Sequence, residues 1–383
     1  MKKLFGFIAI ALLLFQLHST TAGTQVVQSS QTHTSGKYAA KLRAFEDFVR
    51  QQMEKNKIPG LTIGFVKDNY IWIKGFGYAD LENKVPAQAD SAYRYASVQK
   101  SMTAVAILQL VEQGNINLDA EVQTYVPYFP KKKYPITVRQ LLYHLGGIPH
   151  YVNRDLEQHI KEHKTTREAI AIFENFELVA EPGTKFSYSS YGYNLLGAVI
   201  EGASKQSYAD YMREHIWQPL GMKDTRMDDP LALIPNRVRG YQLINGELKN
   251  SEFVDVSSRF AAGGARGTVT DLLRFMKGLN DGKILSPKSV DLMYAPMRTR
   301  DGNISGFPKT AGYAMGWNLA PQTDGLVVIN DGGQQETRTF ILSFPSKKFA
   351  LAVAQNLERD DGGAIIFRLY ELVLNEKFSL GSQ

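Results

Sequence analysis

The residues whose types and spacing most directly suggest chemistry are Ser97 and Lys100, in the run Ser97-Val98-Gln99-Lys100, where a strand-like segment gives way to an apolar helical one. A serine and a lysine three apart share one face of a helix, and the unpaired N–H groups of a first helical turn place positive potential beside the serine oxygen. A hydroxyl is a poor nucleophile until a base removes its proton. A desolvated lysine can be that base, because burial and neighbouring positive charge lower its pKa and keep part of it neutral. The chemistry on offer is acyl transfer through a seryl intermediate, which needs no metal or organic cofactor. Chance supplies about one or two Ser-x-x-Lys matches in a chain of this length, and this is the only one present. On spacing alone the pair reads equally as a helix N-cap followed by a surface lysine.

A second constellation is His159-Ile160-Lys161-Glu162-His163, the His-x-x-Glu-His spelling of some zinc peptidases. Two histidines at i and i+4 on a helix can share one metal, with the glutamate as base. The surrounding DLEQHIKEHKTTRE has no apolar stripe to bury such a helix, so a solvated surface segment is the expected reading and metal catalysis a remote alternative.

The elements that must position Ser97 follow from hydrophobic periodicity. Leu42, Phe45, Phe48, Val49 and Met53 recur at helical spacing over Tyr38–Lys55, and Pro59-Gly60 ends that helix. Leu61–Val66 and Tyr70–Tyr78 read as strands joined by a turn at 67–69. The helix carrying Ser97 runs through Met102, Val105, Leu108, Leu110 and Val111 to a stop at Gly114. Residues 115–260 have a helix-and-loop character. Leu326–Ile329, Thr339–Phe344 and Phe349–Ala354 read as strands again, and Gly363–Leu374 as an amphipathic closing helix. The expected fold is α/β (α+β): an antiparallel sheet built from both chain termini, flanked by helices, with an inserted, mainly helical lobe. The expected organisation is a single domain over 38–383, its sheet lobe about 38–94 and 261–383 and its helical lobe about 95–260.

Composition bounds the rest. The 383 residues are 44% hydrophobic and 21% charged, with no cysteine, which excludes disulfides, thiolate zinc sites and cysteine nucleophiles. Lys2 and Lys3, the apolar run Leu4–Phe15 and the small residues up to Ala22 have the pattern of a secretory signal. Residues 1–22 are therefore expected to be removed, 23–37 to form a flexible lead-in, and the protein to be secreted or periplasmic, with no stable membrane span after cleavage. That cleavage takes two lysines and no acid from a net charge of +6, leaving about +4. So thin a positive charge gives no support to nucleic-acid binding; the expected partner is a small-molecule or peptide substrate, and oligomeric state is not legible.

The surroundings of Ser97 change its reading. The segments PGLTIGFVKDNYIWIKGFGYAD and YRYASVQKSMTAVAILQLVEQGNINLD, then ITVRQLLYHLGGIPHY, PGTKFSYSSYGYNLLGAVIEGAS, PLGMKDT and RFAAGGARGTVTDLLRFMKGL, occur in the order found in serine β-lactamases and penicillin-binding proteins. The chain resembles that family over about residues 40–375, closest to the branch of class C β-lactamases, D-amino-acid peptidases and related esterases. The resemblance implies that Ser97 is the nucleophile and Lys100 its activating partner, with Tyr188 carrying protons. It also implies that the N–H groups of Ser97 and Gly333 form the oxyanion hole, a geometry in which one donor contributes roughly 3–4 kcal/mol. Two family motifs are altered. An intact Tyr-x-Asn at Tyr151-Val152-Asn153 lies in the wrong context; the motif's own context places its tyrosine at Tyr188 and puts Ser190 where the family has an asparagine that contacts substrate. The Lys- or His-x-Gly motif is replaced by Asn330-Asp331-Gly332. The lost cation, with Asp331 in its place, argues against a dedicated β-lactamase and for an esterase or peptidase, unless Arg338 restores the charge. These departures also leave open a catalytically impaired relative that binds peptidoglycan, peptide or a protein partner. His144 is expected to be a packed, hydrogen-bonded histidine, and Gly263-Gly264 a turn needing positive φ.

Overall fold

The computed structural model describes residues 38–151, 160–308, 310–358 and 363–379; the expected signal segment and lead-in, and His159, lie outside them. Strands in chain order are β1 (Gly60–Lys67), β2 (Tyr70–Asp80), β3 (Val85–Pro86), β4 (Tyr93–Arg94), β5 (Arg226–Met227), β6 (Tyr241–Ile244) and β7 (Glu247–Asn250). They continue as β8 (Ala265–Gly267), β9 (Tyr313–Ala314), β10 (Trp317–Gln322), β11 (Gly325–Gln334), β12 (Thr337–Phe344) and β13 (Phe349–Gln355). The helices are α1 (Ala39–Asn56), α2 (Gln99–Glu112), α3 (Val138–Leu142), α4 (Thr166–Ala171) and α5 (Ser190–Ser204), then α6 (Tyr208–Met212), α7 (Phe260–Gly263), α8 (Val269–Asn280), α9 (Pro287–Tyr294) and α10 (Gly363–Leu374).

Among the described residues one sheet holds eight strands in the order β3-β2-β1-β13-β12-β11-β10-β9, with antiparallel neighbours throughout. Side-chain alternation explains how it is covered on both faces. In β13 the large residues Phe349, Leu351 and Val353 join Leu61, Ile63 and Phe65 of β1 in a cluster with Leu42, Phe45 and Val49 of α1 and Ile365 and Leu369 of α10. The intervening Ala350, Ala352 and Ala354 face the other way, into the cluster that holds Leu272, Phe275 and Met276 of α8. Large residues on one face and alanines on the other let α8 lie close; each fully buried large side chain contributes roughly 1.5–3 kcal/mol. Thr268 starts α8 by accepting a hydrogen bond from the Asp271 N–H.

Helices α2–α7 lie between β4 and β8 in the chain, as expected for an inserted helical lobe. Helix α2 is buried almost all round, so its polar residues need partners. Gln99 donates to the Phe260 carbonyl at 2.7 Å and accepts from the Ala265 N–H at 2.6 Å, and Thr103 donates to the Ala261 carbonyl at 2.7 Å. These bonds pin the start of α2 to the segment 260–265.

Three elements differ from the sequence expectation. The hairpin β6–β7 interrupts the helical middle, and β11 continues five residues past Ile329, because its Gly- and Asp-rich end keeps pairing with β12 as far as Gln334↔Thr337. Strand β10 was not foreseen, since it contains Pro321, which a mid-sheet strand should lack. It is tolerated because β9 covers only Trp317 and Asn318, leaving Pro321 beyond that pairing.

Candidate active site

Ser97 lies in a 3-10 turn, Ala96–Val98, that runs directly into α2. The residue before it, Ala96, has φ +47°, a left-handed conformation that costs a residue with a Cβ roughly 1–2 kcal/mol. Two glycines hold that turn by close approach. A Cβ on Gly263 would sit 3.1 Å from the Ala96 carbonyl carbon, and one on Gly332 would sit 2.6 Å from the Ser97 nitrogen. Neither Gly263 nor Gly264 has positive φ: Gly263 ends α7 and Gly264 has φ −84°. The expected tight turn is thus corrected; these glycines are needed for contact, not for a left-handed backbone.

Lys100 Nζ lies 2.9 Å from Ser97 Oγ and 3.0 Å from the Ala262 carbonyl, and the side chain is buried. Burial first, and the Arg259 guanidinium second, hold the ammonium well below its ordinary range, with Asp331 acting in the opposite sense. Tyr188 donates to Ser97 Oγ at 2.8 Å from the segment just before α5, and Lys100 Nζ sits 4.9 Å from its ring centroid. Burial pushes this phenol well above its ordinary value. The two groups on the serine oxygen are therefore shifted in opposite senses, the amine towards neutrality and the phenol towards keeping its proton.

His144 backs Tyr188, with ring centroids 4.4 Å apart. Its Nδ1 accepts from the Ser189 N–H at 3.1 Å and its Nε2 is 3.1 Å from the Tyr313 hydroxyl, so the expected packed, hydrogen-bonded histidine is found, directly behind the phenol. Ser189 then caps α5 by accepting from the Gly192 N–H and donating to the Pro149 carbonyl.

The open end of β11 forms the facing wall. Pairing with β10 stops at Asn318↔Ile329, so from Asn330 onward the strand partner of β11 is β12. Asn330 turns inward and donates from Nδ2 to the carbonyls of Ser97 at 3.3 Å and Gly316 at 2.8 Å. Gly332 packs on the Ser97 turn. Asp331 and Arg338 line the cleft and pair with each other at 3.0 Å, so the Arg338 guanidinium comes with a carboxylate.

A cleft of about 880 Å³ is lined by Ser97, Tyr188, Ser190, Asn330, Asp331, Gly333 and Arg338, bringing these expected site residues together; Lys100 lies beneath. His150 and Arg259 also line it and were not foreseen. His150 stood inside the family-like run HLGGIPHY, but no spacing rule singles it out, and Arg259 arrives from a 3-10 turn (Ser257–Arg259) remote in sequence. The zinc-like segment is not brought to the site. Glu162 pairs with Lys164 and the exposed His163 with Asp255, both ahead of α4 rather than within a helix; His159 is outside the described residues. Among the described residues, no three His, Asp or Glu side chains come together as a metal site requires.

A family model described as Beta-lactamase matches residues 45–374. The human serine beta-lactamase-like protein LACTB, mitochondrial, is 29% identical over 369 residues, covering 74% of this chain and 66% of its own length; the chain spans just under two thirds of that relative. The octameric penicillin-binding protein homologue from Pyrococcus abyssi matches with a TM-score of 0.76 at 29% identity, covering 88% of this chain and 78% of that one. The D-amino acid amidase from Ochrobactrum anthropi SV3, solved with L-phenylalanine amide, matches with a TM-score of 0.75 at 25% identity, covering 87% and 98%.

Proposed function

The chain belongs to the Beta-lactamase family of serine hydrolases, and from that premise we propose that it is an exported enzyme that cleaves an ester, amide or peptide bond through an acyl-enzyme on Ser97. The observation that carries this reading is the pairing of a buried amine and a half-buried phenol on one serine oxygen, at 2.9 and 2.8 Å. Neutral Lys100 takes the Ser97 proton as Oγ attacks the carbonyl carbon. Burial holds the Tyr188 phenol above its ordinary value, so in this reading it serves as the donor that steadies Oγ and passes the proton on. The carbonyl oxygen gains the negative charge and is met by the N–H groups of Ser97 and Gly333. When the C–N or C–O bond breaks, the leaving group takes the proton held by Lys100, by way of Tyr188. Water then attacks the acyl-enzyme, gives its proton to the same pair, and Ser97 is restored as the acid departs.

The charge at the cleft supports an ester, amide or peptide substrate over a dedicated β-lactamase function. A substrate carboxylate near Asn330 meets an amide already engaged with two carbonyls, and an arginine already engaged with Asp331. Export rests on the signal-like residues 1–22.

Intact-mass measurement with a fluorophosphonate tests the chemistry. One adduct is expected on the wild-type protein, mapped to Ser97, absent in Ser97→Ala and formed at least about a hundredfold more slowly in Lys100→Ala. A wild-type protein that takes no label refutes the proposal and leaves a fold kept for binding.

A further inference from the structure

What the cleft selects is a separate question from how it cuts, and the answer rests on the acyl-enzyme reading above. The Ser190 backbone N–H, in the first turn of α5, donates to His150 Nδ1 at 3.2 Å. A backbone N–H can only donate, so Nδ1 is the unprotonated nitrogen and the proton of the neutral ring sits on Nε2. Burial is the largest cause that pushes His150 down to about 4, so the ring is neutral at ordinary pH. Its orientation is fixed as well. It stacks on Tyr151 at 4.5 Å between centroids and 29° between planes, and meets Tyr188 edge-on at 5.3 Å and 77°.

The ring therefore presents a donor, held on three sides, on the wall that also carries Ser97, Tyr188 and Ser190. Nε2 diverges from Nδ1, which the α5 backbone occupies, and no described group accepts its hydrogen. A polar donor in such a place is expensive to leave unmatched when a ligand displaces solvent from the wall. Position 190 carries a hydroxyl where the resemblance placed an amide, and a serine lacks the reach of an amide across the cleft. The neighbouring imidazole has that reach.

The geometry points to His150 as a specificity-determining residue that donates a hydrogen bond from Nε2 to an acceptor oxygen on the substrate's acyl group, so that the cleft prefers acylamino esters and amides to plain alkanoyl ones. The acceptor is the carbonyl of an amide or carbamate whose carbon lies three bonds from the reacting carbon, lying along the His150 wall while the scissile carbonyl sits over Ser97.

The test compares kcat/KM for the p-nitrophenyl esters of N-acetylglycine and of pentanoic acid, similar in length and differing in the amide. Wild-type protein is expected to favour the acetylglycine ester. His150→Phe, which keeps a flat ring and loses the donor, should reduce that preference about ten- to a hundredfold, and His150→Gln, which can donate again, should recover part of it. Fluorophosphonate labelling of each variant reports whether Ser97 is still reactive. An unchanged preference in His150→Phe, or a loss shared equally by both esters with no recovery in His150→Gln, overturns the inference and leaves Ser97 chemistry standing. Failure of the wild-type protein to take label or cleave either ester overturns both.

Discussion

Substituting Gly332 by alanine is the sharpest probe of how the site is assembled, because the damage can be worked out from the packing. The added Cβ would lie 2.6 Å from the Ser97 nitrogen, 2.7 Å from the Tyr95 carbonyl oxygen and 2.9 Å from the Ala96 Cβ. These are backbone atoms and a Cβ, with no rotamer to turn aside. Ordinary contact is about 3.5–4.0 Å, so β11 must retreat from the nucleophile turn by about 1 Å. That retreat opens the oxyanion hole proposed between the N–H groups of Ser97 and Gly333 and stretches the Asn330 contact to the Ser97 carbonyl. A misplacement of this size costs on the order of a hundredfold in rate, and outright loss of one oxyanion donor about 10²–10³. Gly332→Ala is therefore expected to lower the Ser97 acylation rate by about two to three orders of magnitude. Gly333→Ala is the internal comparison: its Cβ would meet the Arg338 side chain, at Nη1 and at Cδ, which can swing away where backbone cannot, so its loss should be much smaller. Rates from stopped-flow acylation by a chromogenic ester, with thermal denaturation to show that both variants fold, decide the matter. Equal losses in the two variants, or wild-type acylation in Gly332→Ala, refute the claim that β11 is pressed against the turn to build the oxyanion site.

The depressed Lys100 predicts the pH profile: only the neutral amine accepts the Ser97 proton, so the acylation rate should rise with pH and level off well below the 10.5 of an ordinary lysine. A rising limb centred at or above that value contradicts the assignment. In the buried cluster beside the β11–β12 turn, Asp228 bridges Arg94 and Arg266 at 2.6 and 2.7 Å, and Glu336 meets Arg266. Asp228→Ala leaves two buried guanidinium groups short of a partner and should cost about 3–5 kcal/mol in chemical denaturation; a loss below about 1 kcal/mol means the cluster does not hold the fold. The two arginines hold the Asp228 carboxyl below its ordinary range against its burial. Its contribution is thus present above the unfolded carboxylate value and lost as pH falls through the lower folded one.

What could be read from the sequence divides by the range of the physics involved. The face shared by Ser97 and Lys100 follows from helical spacing alone, and the alternation of β13 announces a strand with two covered faces. Tyr188 needed its wider context, since Tyr151-Val152-Asn153 spells the motif more fully. The structure puts the Tyr188 hydroxyl on Ser97 Oγ and Tyr151 against His150. What escaped is set by partners far apart in the chain. Arg94 and Arg266 look like surface residues by type, and only the arrival of Asp228 and Glu336 makes their burial tolerable. Gly263 and Gly264 matched the family's tight turn, where glycine permits positive φ; a requirement for bare contact with Ala96 leaves no local trace. The direction of Arg338 was likewise undecidable until pairing with β11 placed it opposite Gly333 and within reach of Asp331.

The replacement of a family cation by Asn330 also bears on how Lys100 is tuned. A lysine at that position would put a second ammonium next to the Ser97 turn and depress Lys100 further by charge. With a neutral amide there, the largest cause of the depression is burial, Arg259 is the charged contributor, and Asp331 pulls the other way. In the proposed mechanism the base is therefore pushed towards neutrality mainly by exclusion of water, to which the walls over it contribute: the Tyr188 ring at 4.9 Å, the Tyr193 ring at 5.8 Å and the Ala262 carbonyl at 3.0 Å. Asn330 gives up a charge and supplies a tie, since one Nδ2 bridges the Ser97 carbonyl and the Gly316 carbonyl. On the proposed reading, a departure from the motif that looks like a loss of function in the sequence exchanges a charge for the substrate for a tie on the backbone of Ser97.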